Sequence, residues 1–330
     1  MVRWPLPEDR TARVRLMIHE LWHRAQAGLG FPMSNPANAH LDTLEGRIGL
    51  QLEWRALGRA LTTTGPERRQ AILDAQVFRA YRRQMFPQAL SEERELEMNE
   101  GLAEYTGVKL ASPTEQKARE LAARGLTEAA SYPSFVRSFA YATGPAYGLL
   151  LDEADPAWRK TLKPTDDFGA LLGTALTLRF PGDLRTAAAQ RAKSYDGEAL
   201  RAAETERENE RQKMRAGYRA RFIEGPVLIL PLRQVNAQFD PNNVQAMEEL
   251  GQVYPKARVT DLWGILDVSG GALLNSQWTE VRVPAPIDLR ARPLQGAGWT
   301  LNLQPGWELV PGPRPGDYRL SPVQGETKTH

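Results

Sequence analysis

The chain of 330 residues contains no cysteine. Disulfides, thiolate metal sites and cysteine nucleophiles are therefore excluded, while the compartment stays open. There is no run of about 18 apolar residues of the kind that spans a bilayer. Nor does Met1-Val2-Arg3-Trp4-Pro5 open an apolar stretch of signal-peptide type. Charge of one sign is not in excess: the formal net charge is +2. The pairs Arg13/Arg15, Arg68/Arg69 and Arg82/Arg83 are interleaved with acids and read as solvated helix faces, so no nucleic-acid partner is expected. A Walker A loop, a Gly-x-Gly-x-x-Gly after a strand and a Gly-x-Ser-x-Gly elbow are all missing. Histidine is scarce, with four in the whole chain, one of them the terminal His330.

What is present is an ordinary globular composition, 42% hydrophobic and 25% charged, enough for one large domain or two modest ones. The texture changes near Phe222. Before it the chain reads as helices. Pro5, Pro7, Glu8 and Asp9 form a turn and an acidic cap, after which Val14, Met17, Ile18 and Leu21 recur at helical spacing until Gly28, Gly30 and Pro32. Further helices are predicted over 40–61, 67–85, 91–108, 113–124, 133–151 and 168–178, with one long polar helix over 185–220. From Gly225 onward proline and glycine are dense, and short strands are predicted at 259–262, 264–268, 279–283, 299–303 and 307–310. Gly270-Gly271 reads as a turn between strands, and the residues from about Gln324 as a frayed tail. The expected class is α+β: a mainly helical domain over 1–221 and a small β-rich domain over 222–330.

Two of the scarce histidines lie in His19-Glu20-Leu21-Trp22-His23, an HExxH motif on the first helix. Residues i and i+4 share a helix face, so both imidazoles can reach one zinc ion at about 2.0–2.1 Å. Glu20, beside the first histidine, is placed to take a proton from water that zinc has acidified. A catalytic zinc needs a third protein ligand, histidine or carboxylate. Three residues are candidates: Glu100, Glu45, which lies 22 residues beyond His23, and His40.

The segment Met98-Asn99-Glu100-Gly101-Leu102-Ala103-Glu104-Tyr105 resembles the Asn-Glu-Gly stretch of gluzincins, the zinc peptidases that include the aminopeptidase N and thermolysin groups. The resemblance implies a zincin-like fold and a zinc cofactor, with Glu100 as third ligand and Glu104 hydrogen-bonded to a ligand histidine. Glu45 fits that motif less well, and His40 lacks the spacing of a three-histidine site. Tyr141-Ala142-Thr143-Gly144 is similar to the Tyr-x-x-Gly of aminopeptidase N relatives, which implies Tyr141 as donor to the tetrahedral oxyanion, with Tyr147 as substitute. The family spacing between HExxH and its third ligand is much shorter than the 76 residues, 24–99, found here. Helices two and three are therefore expected to form an insertion that folds back to bring Glu100 to the site.

The Gly-x-Met-Glu-Asn segment that holds a substrate's amino terminus is absent, so aminopeptidase activity is not implied. A β-sheet normally precedes the catalytic helix in such peptidases. The expectation is a cytoplasmic protein, or an exported one if an upstream segment is missing. Its partner would be a peptide or protein substrate. The alternatives are a non-catalytic binding or scaffold protein on a peptidase fold, against which the intact Glu20 argues, and a zinc hydrolase of a non-peptide bond.

Overall fold

The first helix starts where its cap dictates. In the computed structural model, which describes residues 5–240, 244–247 and 250–323, Asp9 accepts a hydrogen bond from the Ala12 amide at 2.7 Å and opens α1 (Arg10–Ala25). The helix tightens into a 3-10 turn at Gln26–Leu29 and stops at Gly30, whose φ of 85° suits glycine. Its apolar stripe is not the buried one. Met17 and Leu21 are 50% and 63% exposed, Val14 and Ile18 half-buried, and His19 is the one buried residue. The polar face of α1 packs instead, against α5 (Leu102–Ala111). The approach is close at Gly107: a Cβ there would lie 2.8 Å from the Arg15 carbonyl oxygen.

The stretch expected to be an insertion contributes to the main apolar core of the helical unit, and the chain after it returns Glu100 to the histidines. Helices α2 (Leu44–Thr62) and α3 (Gly65–Met85) form a hairpin that supplies Leu50, Trp54, Leu57, Ile72 and Phe78 to the main apolar core. The chain then runs through α4 (Ala89–Leu96) and a π-turn (Glu97–Gly101) into α5. Next come α6 (Glu115–Ala129), capped by Thr114, and α7 (Ser138–Ala154), followed by α8 (Trp158–Thr161) and α9 (Phe168–Ala175). The polar stretch predicted as one helix is two, α10 (Leu184–Ala192) and α11 (Gly197–Arg219). They part where Asp196 takes φ 51°. The break follows from Tyr195, which is buried edge-on against Phe78 and donates its hydroxyl to Asp74 at 2.9 Å.

Within this unit lies a buried ionic network. Arg79 donates to Glu53 at 3.1 Å, to Asp167 at 2.9 Å and to both oxygens of Glu97. Arg82 donates to Glu53 at 2.6 Å and twice to Glu93 at 2.9 Å, and Arg83 joins Glu93 to Asp167. Tyr147 and Thr143 close the remaining acceptors of Glu53 and Glu97. Such charges tolerate burial because each carboxylate accepts from at least one arginine, although Arg79 Nε and Arg83 Nη2 are buried without a hydrogen-bond partner.

The β-rich unit has its own core. Its strands among the described residues are β1 (Val227–Pro231), β2 (Asn236–Phe239), β3 (Gln245–Ala246), β4 (Gln252–Tyr254), β5 (Ala257–Asp261), β6 (Gly264–Val268), β7 (Ala272–Leu274), β8 (Glu280–Pro284), β9 (Leu294–Gly296), β10 (Trp299–Leu303), β11 (Trp307–Pro311) and β12 (Tyr318–Pro322). One sheet runs β11-β12-β1-β8-β7-β4-β3 and the other β2-β5-β6-β10-β9. Among the described strands only β1 with β12 is parallel. Leu228, Leu230, Val281 and Val283 of the first sheet share a core with Val259, Leu266 and Leu301 of the second. All five predicted strands are present within a residue or two. Gly270-Gly271 is the turn between β6 and β7. The predicted frayed tail lies outside the described residues.

The architecture is α+β. The two compact units divide at Glu206/Arg207, inside α11 and ahead of the change of texture at Phe222. No helix among the described residues is long and apolar enough to cross a membrane.

Candidate metal centre

Three elements converge on one point. α1 presents His19 and His23 on its packed face, the π-turn presents Glu100, and α7 presents Tyr141. The π-turn sorts neighbouring carboxylates: Glu97 turns to Arg79 and the ionic network, while Glu100 turns to the histidines. α7 reaches Glu100 because two glycines meet. A Cβ on Gly144 would lie 2.2 Å from the Gly101 carbonyl oxygen and 2.4 Å from its Cα. Glycine at both positions lets the backbones touch, and this brings Tyr141 onto the carboxylate.

His23 Nε2 lies 3.0 Å from His19 Nε2 and 3.3 Å from Glu100 Oε2, and His19 Nε2 lies 3.4 Å from that same oxygen. Ligand atoms at zinc–nitrogen distances in a tetrahedral arrangement stand about 3.3 Å apart. The three separations match that spacing, and two imidazoles with one carboxylate form a donor set that suits zinc. Among the described residues this is the one cluster of three or more such side chains able to hold a metal ion.

The remaining atoms of these side chains are engaged. His19 Nδ1 donates to Glu104 Oε2 at 2.8 Å, and Arg15 holds the other oxygen of Glu104. His23 Nδ1 faces Gln26 Oε1 at 2.8 Å. Tyr141 donates to Glu100 Oε2 at 2.6 Å, and Arg137 to Glu100 Oε1 at 3.3 Å. The Tyr141 ring stacks on His19 with centroids 5.4 Å apart. Each histidine is thus anchored at Nδ1 and directs Nε2 inward.

Electrostatics follow from this packing. Burial alone would lower the pKa of His19, but hydrogen bonds and charge from Glu100 and Glu104 outweigh it and hold the imidazole at about 9. Burial would raise Glu100, yet its bonds with His19 and Tyr141 bring it down to about 2. Burial and the Glu100 charge push the Tyr141 phenol upward, so it stays a neutral donor across the physiological range.

The other candidates lie elsewhere. Glu45 is partly exposed in the first turn of α2, bound by two Arg201 nitrogens at 2.7 and 2.9 Å. His40 Nε2 lies 2.8 Å from Glu93, so His40 belongs to the ionic network. Tyr147 is fully buried and donates to Glu53 at 2.7 Å, away from the histidines. Glu20 follows His19 on α1 and stays partly exposed. The sequence reading gave no role to Gln26, Asn99, Arg15 or Arg137. A signal existed for Gln26, which stands three residues after His23 on the same helix face. Arg15, expected on a solvated face, stands four residues before His19 on the same helix and holds Glu104, while Arg137 comes from a distant part of the chain and carried no pattern.

Compared with protein-family models, curated proteins and solved structures, the chain matches none.

Proposed function

We propose that this chain is a zinc-dependent peptide-bond hydrolase, with His19, His23 and Glu100 as the metal ligands. The observation that carries the reading is the convergence of His19 Nε2, His23 Nε2 and Glu100 Oε2 at 3.0–3.4 Å, each side chain fixed by a further hydrogen bond. When bound, zinc supplies Lewis acidity that polarises a carbonyl and acidifies water. Glu20 is the general base: its carboxylate accepts the proton of the attacking water and passes it to the departing amine. Tyr141 Oη lies 2.6 Å from Glu100 Oε2, the oxygen assigned to the metal, and would face a carbonyl oxygen bound there. As a neutral phenol it would turn its single O–H from Glu100 to that oxygen as negative charge develops there, a hydrogen bond worth roughly 3 kcal/mol for a positioned donor.

The test is metal analysis of purified protein under zinc repletion, followed by cleavage of a mixed peptide library by wild type and Glu20→Gln. The expected result is one zinc per chain in both proteins, with cleavage reduced by about 10²–10⁴-fold in the variant. Absence of bound metal in the wild type would end the proposal. Metal binding without cleavage, insensitive to Glu20→Gln, would favour a binding protein on the same fold.

A further inference from the structure

We infer that Gln26 and Asn99 form a relay of hydrogen-bond polarity that fixes the tautomer of His23, so that its Nε2 is the bare nitrogen. The inference rests on the metal-centre reading above and assigns Gln26 as a positioning residue for that centre.

The relay starts at a group whose role is not negotiable. The backbone carbonyl of Ser34 can only accept, and an Asn99 side-chain atom lies 2.7 Å from it. That atom must therefore be the nitrogen Nδ2. The other Asn99 atom, Oδ1, then accepts from Gln26 Nε2 at 2.8 Å. Gln26 in turn has its oxygen, Oε1, directed at His23 Nδ1, 2.8 Å away. An amide oxygen can only accept, so the proton of a neutral His23 ring sits on Nδ1. Each step follows from the one before. Gln26 is fully buried and Asn99 is 3% exposed, so water does not replace these partners.

The two ligand histidines need different devices. His19 Nδ1 faces a carboxylate, Glu104, which holds a proton on that nitrogen by charge. His23 has no such partner on its Nδ1 side. Glu100 Oε2 lies 3.3 Å from His23 Nε2 on the other side. Without the relay, the negative charge of Glu100 would draw the ring proton to Nε2, the nitrogen a cation needs bare. The neutral amide chain prevents this without adding a further negative charge beside Glu100 and Glu104.

With four histidines in the chain, a two-bond ¹H–¹⁵N spectrum of metal-free, ¹⁵N-histidine-labelled protein at one fixed pH resolves each ring, and single substitutions assign them. Wild-type His23 should show its proton on Nδ1; a proton on Nε2 would overturn the inference without any variant. In Gln26→Leu the Nδ1–H pattern should be lost and zinc affinity should fall about 10–100-fold. In Gln26→Glu the oxygen facing Nδ1 still only accepts, so the pattern should persist even though the donor to Asn99 Oδ1 is lost unless the carboxyl keeps a proton there, and zinc should bind more tightly than to Gln26→Leu. A purely packing role gives the reverse order, with leucine tolerated at this buried position and a charge not, and that order would overturn the inference. Should wild type bind no zinc while His23 keeps Nδ1–H, the hydrolase proposal fails and the relay stands.

Discussion

The helical unit buries charge, and the β-rich unit buries almost none. In the first, Arg79, Arg82, Glu53, Glu93, Glu97, Glu100 and Glu104 are all under 9% exposed. In the second, the buried charged residues among those described are Asp261 and Asp317. Even these two serve the backbone: Asp261 accepts from the amides of Arg233 and Gln234, and Asp317 from that of Val227. The β-rich unit is held by sheet pairing around a dry core, whose cost of formation burial alone can offset. The helical unit carries a second core of matched ions, and that core holds the π-turn on which Glu100 is mounted. Buried ion pairs add little net stability, because desolvation offsets their attraction. What they add here is a fixed direction for each side chain around the candidate site.

The largest effect should come from leaving that second core unmatched. Arg79→Met strips three carboxylates, Glu53, Glu97 and Asp167, of a shared partner. Removing one member of a buried pair costs about 3–5 kcal/mol. Hydrogen exchange read by region should show that loss across α3, the π-turn and α7, with protection in β1, β6 and β10 unchanged. Equal loss in both units would mean that they unfold as one and that the contrast has no energetic content.

Acid should sharpen the same contrast. Charge from Arg82 and Arg79 holds Glu93 and Asp167 below the ordinary carboxylate range, despite burial that works the other way. A group with a depressed folded pKa contributes stability that is complete above its unfolded pKa, about 4, and lost as pH falls toward the folded value. Glu97 has the opposite sign: burial raises it, so its contribution is present at low pH and lost as pH rises through its folded value. Within the network two depressed groups stand against one raised, and Glu100, brought down to about 2, adds to the depressed side, so the helical unit weakens below about pH 4. Among the described residues of the β-rich unit, Asp317 is the one depressed carboxylate resolved, held down by Arg314. At pH 3 the helical amides should therefore exchange before those of β1 and β6, and the reverse order would remove the electrostatic account.

How much of this could be read in the sequence follows from the same contrast. Helices and strands driven by local apolar spacing were legible: α2, α3, β6 and β10 fall where periodicity puts them. Elements set by distant partners were not. Tyr195 breaks the polar helix because Asp74 and Phe78, more than a hundred residues earlier, receive it. On α1 periodicity misled: the repeating Val14, Met17, Ile18 and Leu21 are not the packed side, because the polar side faces α5 across Gly107. The histidines, Glu100, Glu104 and Tyr141 stood out because each belongs to a short motif. Gln26 belongs to none, its one signal being the three-residue spacing from His23, and Arg137 reaches the site only through the fold.

A smaller effect tests the glycine contact that joins the two kinds of core. Gly144→Ala places a methyl group 2.2 Å from the Gly101 carbonyl oxygen, so α7 must move away from the π-turn. Overpacking of this sort costs about 1–3 kcal/mol. The functional loss should exceed what that figure suggests, because Tyr141 lies on the displaced turn. Cleavage should fall mainly in kcat while zinc is retained. If kcat is unchanged, Tyr141 does not need its present position.

The smallest effect belongs to Glu45, the carboxylate at the more usual spacing after His23. It is 43% exposed, and its partner Arg201 is 53% exposed. Its pKa is lowered first by the hydrogen bond from Arg201. Screened pairs of this kind contribute less than about 1 kcal/mol. Glu45→Gln should leave zinc content and cleavage at wild-type levels, whereas Glu100→Gln should lose the metal. The pair of variants separates the two carboxylates by a direct reading of bound zinc. A metal-free Glu45→Gln beside a metal-loaded Glu100→Gln would mean that α2, not the π-turn, supplies the third ligand, and that the buried network serves stability alone.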